Sequence, residues 1–172
     1  SSITVNNPGT YTVTVSNGTC TGSASVNVNE NALPSVSVTA GSTAICNGSS
    51  TSLTASGATG YTWSPSTGLS SVTGSLVTAN PVVTTTYTVT GTNAAGCTSS
   101  ATVSVSVNSI PSLTISGTTL ISRGGTATLT VSGAASYLWN TGETAASISV
   151  SPTLSTLYTV TGTAVNGCVA TL

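Results

Sequence analysis

Hydrophobic and polar residues alternate along most of the chain with a period of two. The alternation is clearest where valine alternates with threonine or serine, as in residues 85–92 and 99–107. Such alternation turns one side of a strand toward a core and the other toward solvent, and β-branched residues favour strands. Clusters of glycine, asparagine, proline and serine separate the runs and predict turns. Since no segment has a useful helical period, the pattern predicts an all-β chain.

Strands can be assigned from this alternation along the whole chain. In the first 30 residues it predicts strands at residues 2–6, 10–16 and 22–29, and Asn17-Gly18 is typical of a hairpin turn. Further strands are predicted at residues 35–39, 51–56, 60–64, 75–79, 85–92 and 99–107. Strict alternation in the last of these predicts an inward face formed by Ala101, Val103, Val105 and Val107.

One hairpin sequence occurs three times, which indicates tandem modules. Its copies occupy residues 7–20, 80–97 and 151–168, and each contains a tyrosine that opens an alternating run, then a turn and a closing cysteine. Trp63 and Trp139 lie 76 residues apart, and the spacing between the first two hairpin tyrosines is the same. The repeat therefore predicts a module of about this length.

The repeat divides the chain into one partial and two larger modules. Residues 1–30 hold the C-terminal strands of a partial module, and residues 31–34 form a linker. Residues 35–108 form a complete module, residues 109–111 a second linker, and residues 112–172 a module that lacks most of its last strand. About seven short strands per module, with frequent turn signals, are typical of an antiparallel β-sandwich. Because the chain begins and ends inside a repeat, we expect a piece of a longer protein or a processed subunit.

Each larger module has one strand with the pattern Tyr-x-Trp. Tyr61 shares a strand face with Trp63, and Tyr137 with Trp139, and this face is most simply the inward one. A sugar-stacking platform formed by these aromatic residues is the rival interpretation, and we favour the core. The predicted core aromatic residues are Trp63, Trp139, Tyr11, Tyr87 and Tyr158.

The composition removes most catalytic chemistry. The only charged residues are Glu30, Arg123 and Glu143, and histidine is absent. Acid–base catalysis needs a titratable side chain near the reacting group, and a nucleophilic serine needs a base. Zinc sites need clustered Cys or His, and calcium sites need several carboxylates. We therefore expect no enzymatic activity, no cofactor and no metal site.

The weak charge also bears on partners. A net charge of −1 leaves little repulsion between copies, which favours association. It also gives no electrostatic attraction to nucleic acid or anionic lipid. No apolar run reaches the roughly 18 residues of a membrane span. Serine and threonine make up 68 of the 172 residues, and their hydroxyls are candidate sites for O-glycans.

Three motifs carry a resemblance to a known family: CNGS at residues 46–49, YTWSPSTGL at residues 61–69 and TYTVTGTNAAGC at residues 86–97. With them the chain resembles, over nearly its whole length, the Ig-like and PKD-like tandem repeats of Bacteroidota surface and secreted proteins. Because the Gly-Asp-Gly of the PKD signature is missing after the tryptophan, the resemblance favours the Ig-like type. It implies tandem Ig-like antiparallel β-sandwich modules and export to the cell surface, often by the type IX route.

Two functional hypotheses follow from these observations. The first is a non-catalytic structural segment of an extracellular fibre, filament or surface stalk, assembled from end-to-end repeats. Such a segment would associate head to tail with other copies, through a strand donated to the incomplete module, or continue into further repeats of the same chain. The alternative is an adhesin or a carbohydrate-binding accessory region of a secreted enzyme, with surface glycans as partners.

Export favours disulfide bonds between the cysteines. Cys46 and Cys97 lie in the same predicted module, so we expect a disulfide between them, with two buried free thiols as the alternative. Cys20 lacks a partner in this sequence, and Cys168 faces Ser122 where a cysteine would be expected. Cys20 and Cys168 are therefore candidate thiols for bonds to a neighbouring molecule.

Overall fold

Most of the alternating segments form β-strands in the computed structural model, which describes residues 2–172. This part of the chain contains 15 strands and no helix, so the predicted all-β fold is confirmed. The strands are β1 (Gly9–Ser16), β2 (Thr21–Val28), β3 (Ser37–Ala40), β4 (Ala44–Cys46), β5 (Thr51–Ser56), β6 (Gly60–Ser64), β7 (Leu76–Ala79), β8 (Thr85–Thr92), β9 (Thr98–Asn108), β10 (Thr114–Gly117), β11 (Ala127–Ser132), β12 (Ser136–Trp139), β13 (Ser147–Val150), β14 (Val160–Thr163) and β15 (Val169–Thr171).

The predicted strands and the observed ones differ mainly at two places. Strands β5, β6 and β8 have the predicted bounds, whereas residues 2–6 form no strand. Ile3 is 80% exposed there, because no neighbouring strand pairs with this segment. Strand β4 was not predicted, since its three residues are too few to show alternation.

The first two strands form a hairpin that stands apart from the two cores. Strand β1 pairs with β2 in antiparallel register from Gly9 opposite Val28 to Ser16 opposite Thr21. Its turn contains Gly18 at φ +92°, a conformation that favours glycine. Val13 and Val26 are more than half exposed, so one face of the hairpin remains apolar and open.

Two sheets enclose the central core. One sheet has the strand order β3-β5-β7 and the other the order β4-β9-β8-β6. All pairings are antiparallel except that of β4 with β9, which is parallel. The buried core residues are Ile45, Leu53, Ala55, Trp63, Val77, Ala79, Tyr87, Val89 and Val105. Of the predicted inward face of β9, Val105 is fully buried, and the other three residues pack partly against the same core.

A second pair of three-stranded sheets encloses the C-terminal core. Their strand orders are β10-β11-β13 and β12-β14-β15. The buried residues are Ala127, Leu129, Val131, Trp139, Ile148, Val150 and Val160. This arrangement and that of the central core are both compatible with a β-sandwich. Each core lies inside one of the two larger predicted modules, whose exact boundaries stay a prediction.

The C-terminal core is the more open of the two. An open groove of about 560 Å³ reaches Trp139 and is lined by Ile121 and Tyr158. Leu120 and Leu154, also in the groove lining, are 89% and 79% exposed. In the central core, the position that corresponds to Ile121 is Ile45 in β4, which is buried against β9.

Candidate functional site

The site with the most specific chemistry lies at the junction between the central and C-terminal cores. We use "junction" for strand β4, the end of β9, residues 109–111 and the loop at residues 164–168. Strand β4 runs parallel to the end of β9, with Cys46 opposite Asn108. The amide N–H of Asn47 donates to the carbonyl of Asn108 at 2.8 Å. This pairing holds Cys46 beside the residue at which the chain leaves the central sheet.

The hairpin loop between β14 and β15 brings the second cysteine to the same place. The N–H of Ala164 donates to the carbonyl of Cys168 at 2.8 Å, and Gly167 has φ +82° in this turn. The side-chain oxygen of Asn166 accepts the N–H of Cys168 at 3.0 Å. Its side-chain N–H donates to the carbonyl of Ser109 at 3.2 Å, so the loop lies against the linker.

A disulfide joins Cys46 to Cys168 across this junction. The two Cα atoms are 5.6 Å apart, and 122 residues separate the cysteines in sequence. Cys168 is only 1% exposed. The bond is a second covalent connection in parallel with residues 109–111, so it limits how far the two cores can hinge about this linker.

The disulfide predicted between Cys46 and Cys97 is wrong. Cys97 precedes the first residue of β9, whereas Cys46 lies opposite its last residue. Eleven strand residues at about 3.3 Å each place these cysteines roughly 35 Å apart. A disulfide needs Cα atoms within about 7 Å, so the two cannot bond without disrupting the sheet.

The prediction that Cys168 bonds to a neighbouring molecule is also wrong, because its sulfur is bonded to the sulfur of Cys46. Cys20 and Cys97 remain free thiols within the described chain. Cys20 is exposed at the turn of the first hairpin, and its bond to a neighbour stays a prediction. A signal for the observed pairing was present in the repeat, since pairing inside modules left Cys168 opposite Ser122 without a partner.

The two tryptophans lie inside the cores rather than on a surface. Trp63 is 4% exposed and Trp139 is 1% exposed. Their indole N–H groups donate to the carbonyls of Gly74 and Ala145, at 2.9 and 3.0 Å. With their rings buried and their N–H groups bonded, these tryptophans cannot form a sugar-stacking platform on this surface.

The three predicted core tyrosines have different environments. Tyr87 is fully buried in the central core, its hydroxyl donates to the carbonyl of Thr67 at 2.8 Å, and burial raises its pKa. Tyr158 is half-buried and packs against the C-terminal core. Tyr11 is half-buried on the first hairpin, and its hydroxyl donates to the carbonyl of Asn7. It belongs to neither core.

The charged residues do not gather into a site. Glu30, Arg123 and Glu143 are all exposed. A side-chain hydrogen bond with Thr141 is the main cause that lowers the pKa of Glu143. Within residues 2–172, no three His, Cys, Asp or Glu side chains come close enough together to hold a metal ion. Nor does any helix in that range have the length and hydrophobicity to cross a membrane.

No protein-family model matches the chain, and no curated protein matches it. The disulfide junction is the feature with the most specific geometry, because it joins two cysteines that are 122 residues apart in sequence.

Proposed function

We propose that this chain is a non-catalytic structural segment of an extracellular fibre, filament or surface stalk, built from Ig-like β-sandwich modules placed end to end. The observation that carries the proposal is the disulfide between Cys46 and Cys168. A bond from one core to the next shapes no pocket for a small molecule. It limits bending between successive modules, which is what an elongated support requires.

The remaining contacts at the junction support the same role. The linker between the modules has three residues, and Pro111, its last residue, is buried and restricts the backbone. The loop of the following module is tied to this linker through Asn166 and Ser109. A short linker with a side-chain contact and a parallel covalent bond gives a semi-rigid connection.

Self-association head to tail is part of the proposal. The first hairpin has an open apolar face that includes Val13 and Val26, and the C-terminal core has an open groove that exposes Leu120 and Leu154. Apolar surfaces of this kind are common at protein interfaces. The net charge of −1 adds little repulsion between copies.

The proposed location is the outside of a bacterial cell, and the resemblance of the repeat motifs suggests a member of the Bacteroidota. A disulfide is compatible with this location, because such bonds persist in oxidising surroundings. The adhesin or carbohydrate-binding alternative receives less support, since both tryptophans are buried.

Two measurements test the proposal together. Electron microscopy of the native material should reveal filaments or stalks with a repeat that matches the module length. A glycan array probed with the purified chain should give no binding above that of an unrelated β-sandwich protein. Specific glycan binding by a chain that stays monomeric at all concentrations in sedimentation experiments would overturn the structural role.

A further inference from the structure

The junction that carries the disulfide has a counterpart on the N-terminal side of the central core. Residues 31–34, with the sequence Asn-Ala-Leu-Pro, correspond to Asn-Ser-Ile-Pro at residues 108–111, and the proline is buried in both. The side-chain N–H of Asn93 donates to the carbonyl of Ala32 at 2.7 Å. At the other junction Asn166 donates to the carbonyl of Ser109, the counterpart of Ala32, but it lies two residues before Cys168, whereas Asn93 lies four residues before Cys97. Both hairpin loops therefore contact the same position of their preceding linkers through an asparagine side chain, although from different positions in the loop.

Cys97 occupies in this first junction the place that Cys168 occupies in the second. Each cysteine closes the corresponding hairpin loop of its own module. The N–H of each donates to an asparagine side-chain oxygen. The thiol of Cys97 lies 3.8 Å from the carbonyl of Asn31, the counterpart of Asn108. Cys97 is half-buried and free, whereas Cys168 is bonded.

The two junctions differ in one strand. At the second junction, β4 pairs with residues 106–108 and delivers Cys46. The corresponding residues 29–31 have no strand partner within the described chain. The N–H of Ser106 donates to the carbonyl of Thr43, the residue before β4, at 2.8 Å, and the counterpart of Ser106 is Asn29. An unpaired edge thus lies next to a free thiol.

We propose that residues 29–31 and Cys97 form an acceptor site for a cysteine-terminated strand of the β4 type, and that the two cysteines join as a disulfide. The strand must come from a module other than the two larger ones of this chain, because Cys46 is bonded to Cys168 and Ser122 replaces the cysteine in the C-terminal module. The proposal rests on the end-to-end arrangement proposed above and names the contact by which it continues. The occupant is identified by what fills the same site at the other junction: a short strand with the sequence Ala-Ile-Cys, parallel to the edge.

The bond can form in an oxidising compartment without any group from this chain beyond the thiol. The two thiols lose two protons and two electrons, and the electrons reduce the disulfide of a thiol–disulfide oxidoreductase to its dithiol. In a test, a mixed disulfide of the incoming cysteine with glutathione replaces the oxidant. The thiolate of Cys97 then attacks the sulfur of the incoming cysteine, and glutathione leaves as a thiol.

Cys20 provides a control within the same molecule. It closes the same kind of hairpin loop, but it is exposed at the free end of the first hairpin. It has no contact of the kind that Cys97 makes with Asn31. If exposure alone governs disulfide formation with an incoming cysteine, Cys20 should react faster. If pairing of the incoming strand with residues 29–31 governs it, Cys97 should react faster.

The probe is a synthetic peptide with the sequence of residues 43–49, TAICNGS, supplied as its mixed disulfide with glutathione. The control peptide has the same residues in scrambled order with the cysteine in place. We expect about tenfold more peptide at Cys97 than at Cys20, as measured by peptide mapping and mass spectrometry, because strand pairing raises the effective concentration. The scrambled peptide should show no such preference.

The variant Asn29→Pro removes the backbone N–H that would donate to the incoming strand and leaves both thiols unchanged. The preference for Cys97 should therefore fall to the level seen with the scrambled peptide. Equal labelling of both cysteines by the TAICNGS peptide, or a preference for Cys20, would overturn the acceptor site. That result would leave the fibre role standing if native filaments are seen. Conversely, selective labelling of Cys97 with non-fibrous native material would overturn the fibre role alone.

Discussion

At the scale of single residues, two glycines leave space for the aliphatic side chains that pack against them. Gly91 lies opposite Tyr61 in the sheet, and Gly162 lies opposite Tyr137. A Cβ atom on Gly91 would come within 2.5 Å of Cγ2 of Val36 and 2.8 Å of Cβ of Ala58. Neither glycine has a positive φ, so these positions need space rather than conformational freedom. Both tyrosines use their hydroxyls to hold the preceding turn, through Ala58 and its counterpart.

Gly91→Ala should therefore destabilise the central core by about 1–3 kcal/mol, the usual cost of overpacking. Gly60→Ala is the matched control, because it lies in the neighbouring strand with no heavy atom within 4 Å of the added Cβ. Its effect should stay within about 0.5 kcal/mol or be slightly stabilising. Urea unfolding of both variants measures the difference, and equal stabilities would contradict the steric explanation.

The buried hydroxyl of Tyr87 should make stability depend on alkaline pH. Burial raises the pKa of Tyr87 above its ordinary value near 10, so the folded state holds the proton more tightly than the unfolded state. The contribution of this protonated hydroxyl to the free energy of unfolding is complete below pH 10 and is lost as the pH rises through the folded-state pKa of Tyr87.

Tyr87→Phe should remove this alkaline loss and cost about 1 kcal/mol at neutral pH, because the hydrogen bond to Thr67 disappears. Tyr61→Phe is the control, since it leaves Tyr87 unchanged and should retain the alkaline loss. Thermal unfolding between pH 8 and pH 11 checks both. An unchanged alkaline profile in Tyr87→Phe would show that other groups cause the loss.

At the scale of elements, β9 organises the central core and the junction. It pairs with β8 over its first eight residues and with β4 at its end. Ile45 of β4 is buried by this arrangement, whereas Ile121 at the same position of the repeat is only partly buried. The same residue type is therefore used in two environments that differ by one strand pairing.

Ile45→Ala should cost about 2–4 kcal/mol, as expected for truncation of a buried isoleucine. Ile121→Ala is the matched variant and should cost less, because part of its side chain already contacts solvent. Denaturant unfolding followed separately for each core by fluorescence of Trp63 or Trp139 would measure both effects. A larger loss from Ile121→Ala would mean that its groove is closed in solution.

At the scale of the whole molecule, the disulfide determines how force would travel along the chain. A load applied at the two ends passes from the N-terminal segment to Cys46, across the sulfur atoms and out at Cys168. The intervening segment, which includes most of both cores, lies outside this path. This arrangement suits the proposed fibre role, because the sheets between the two cysteines would not have to bear tension.

Single-molecule stretching between the chain ends should reveal the protected segment. Reduction of the disulfide should add roughly 400 Å of extensible length, since 122 residues separate the cysteines and an extended residue spans about 3.3–3.6 Å. Cys168→Ser should show this added length without reductant, and Cys97→Ser, which leaves the bond intact, should not. An extension that is the same with and without reductant would contradict the proposed force path.

The sequence by itself determined most of the strands and their inward faces. Alternation is a local property, so β5, β6 and β8 and the buried tryptophans could be predicted from residues only a few positions apart. The repeat also identified the equivalent positions in successive modules. Residues 2–6 show the limit of this reasoning, because alternation indicates a face but does not supply a neighbouring strand.

Only the tertiary structure decided which cysteines meet. The pairing depends on β4 lying parallel to the far end of β9, and this contact joins residues about 60 positions apart. Alternation fixes the face on which a residue lies, but not the strand beside it or the direction in which that strand runs. The short strand β4 therefore moved Cys46 to the opposite end of the sheet from Cys97 and placed it against Cys168.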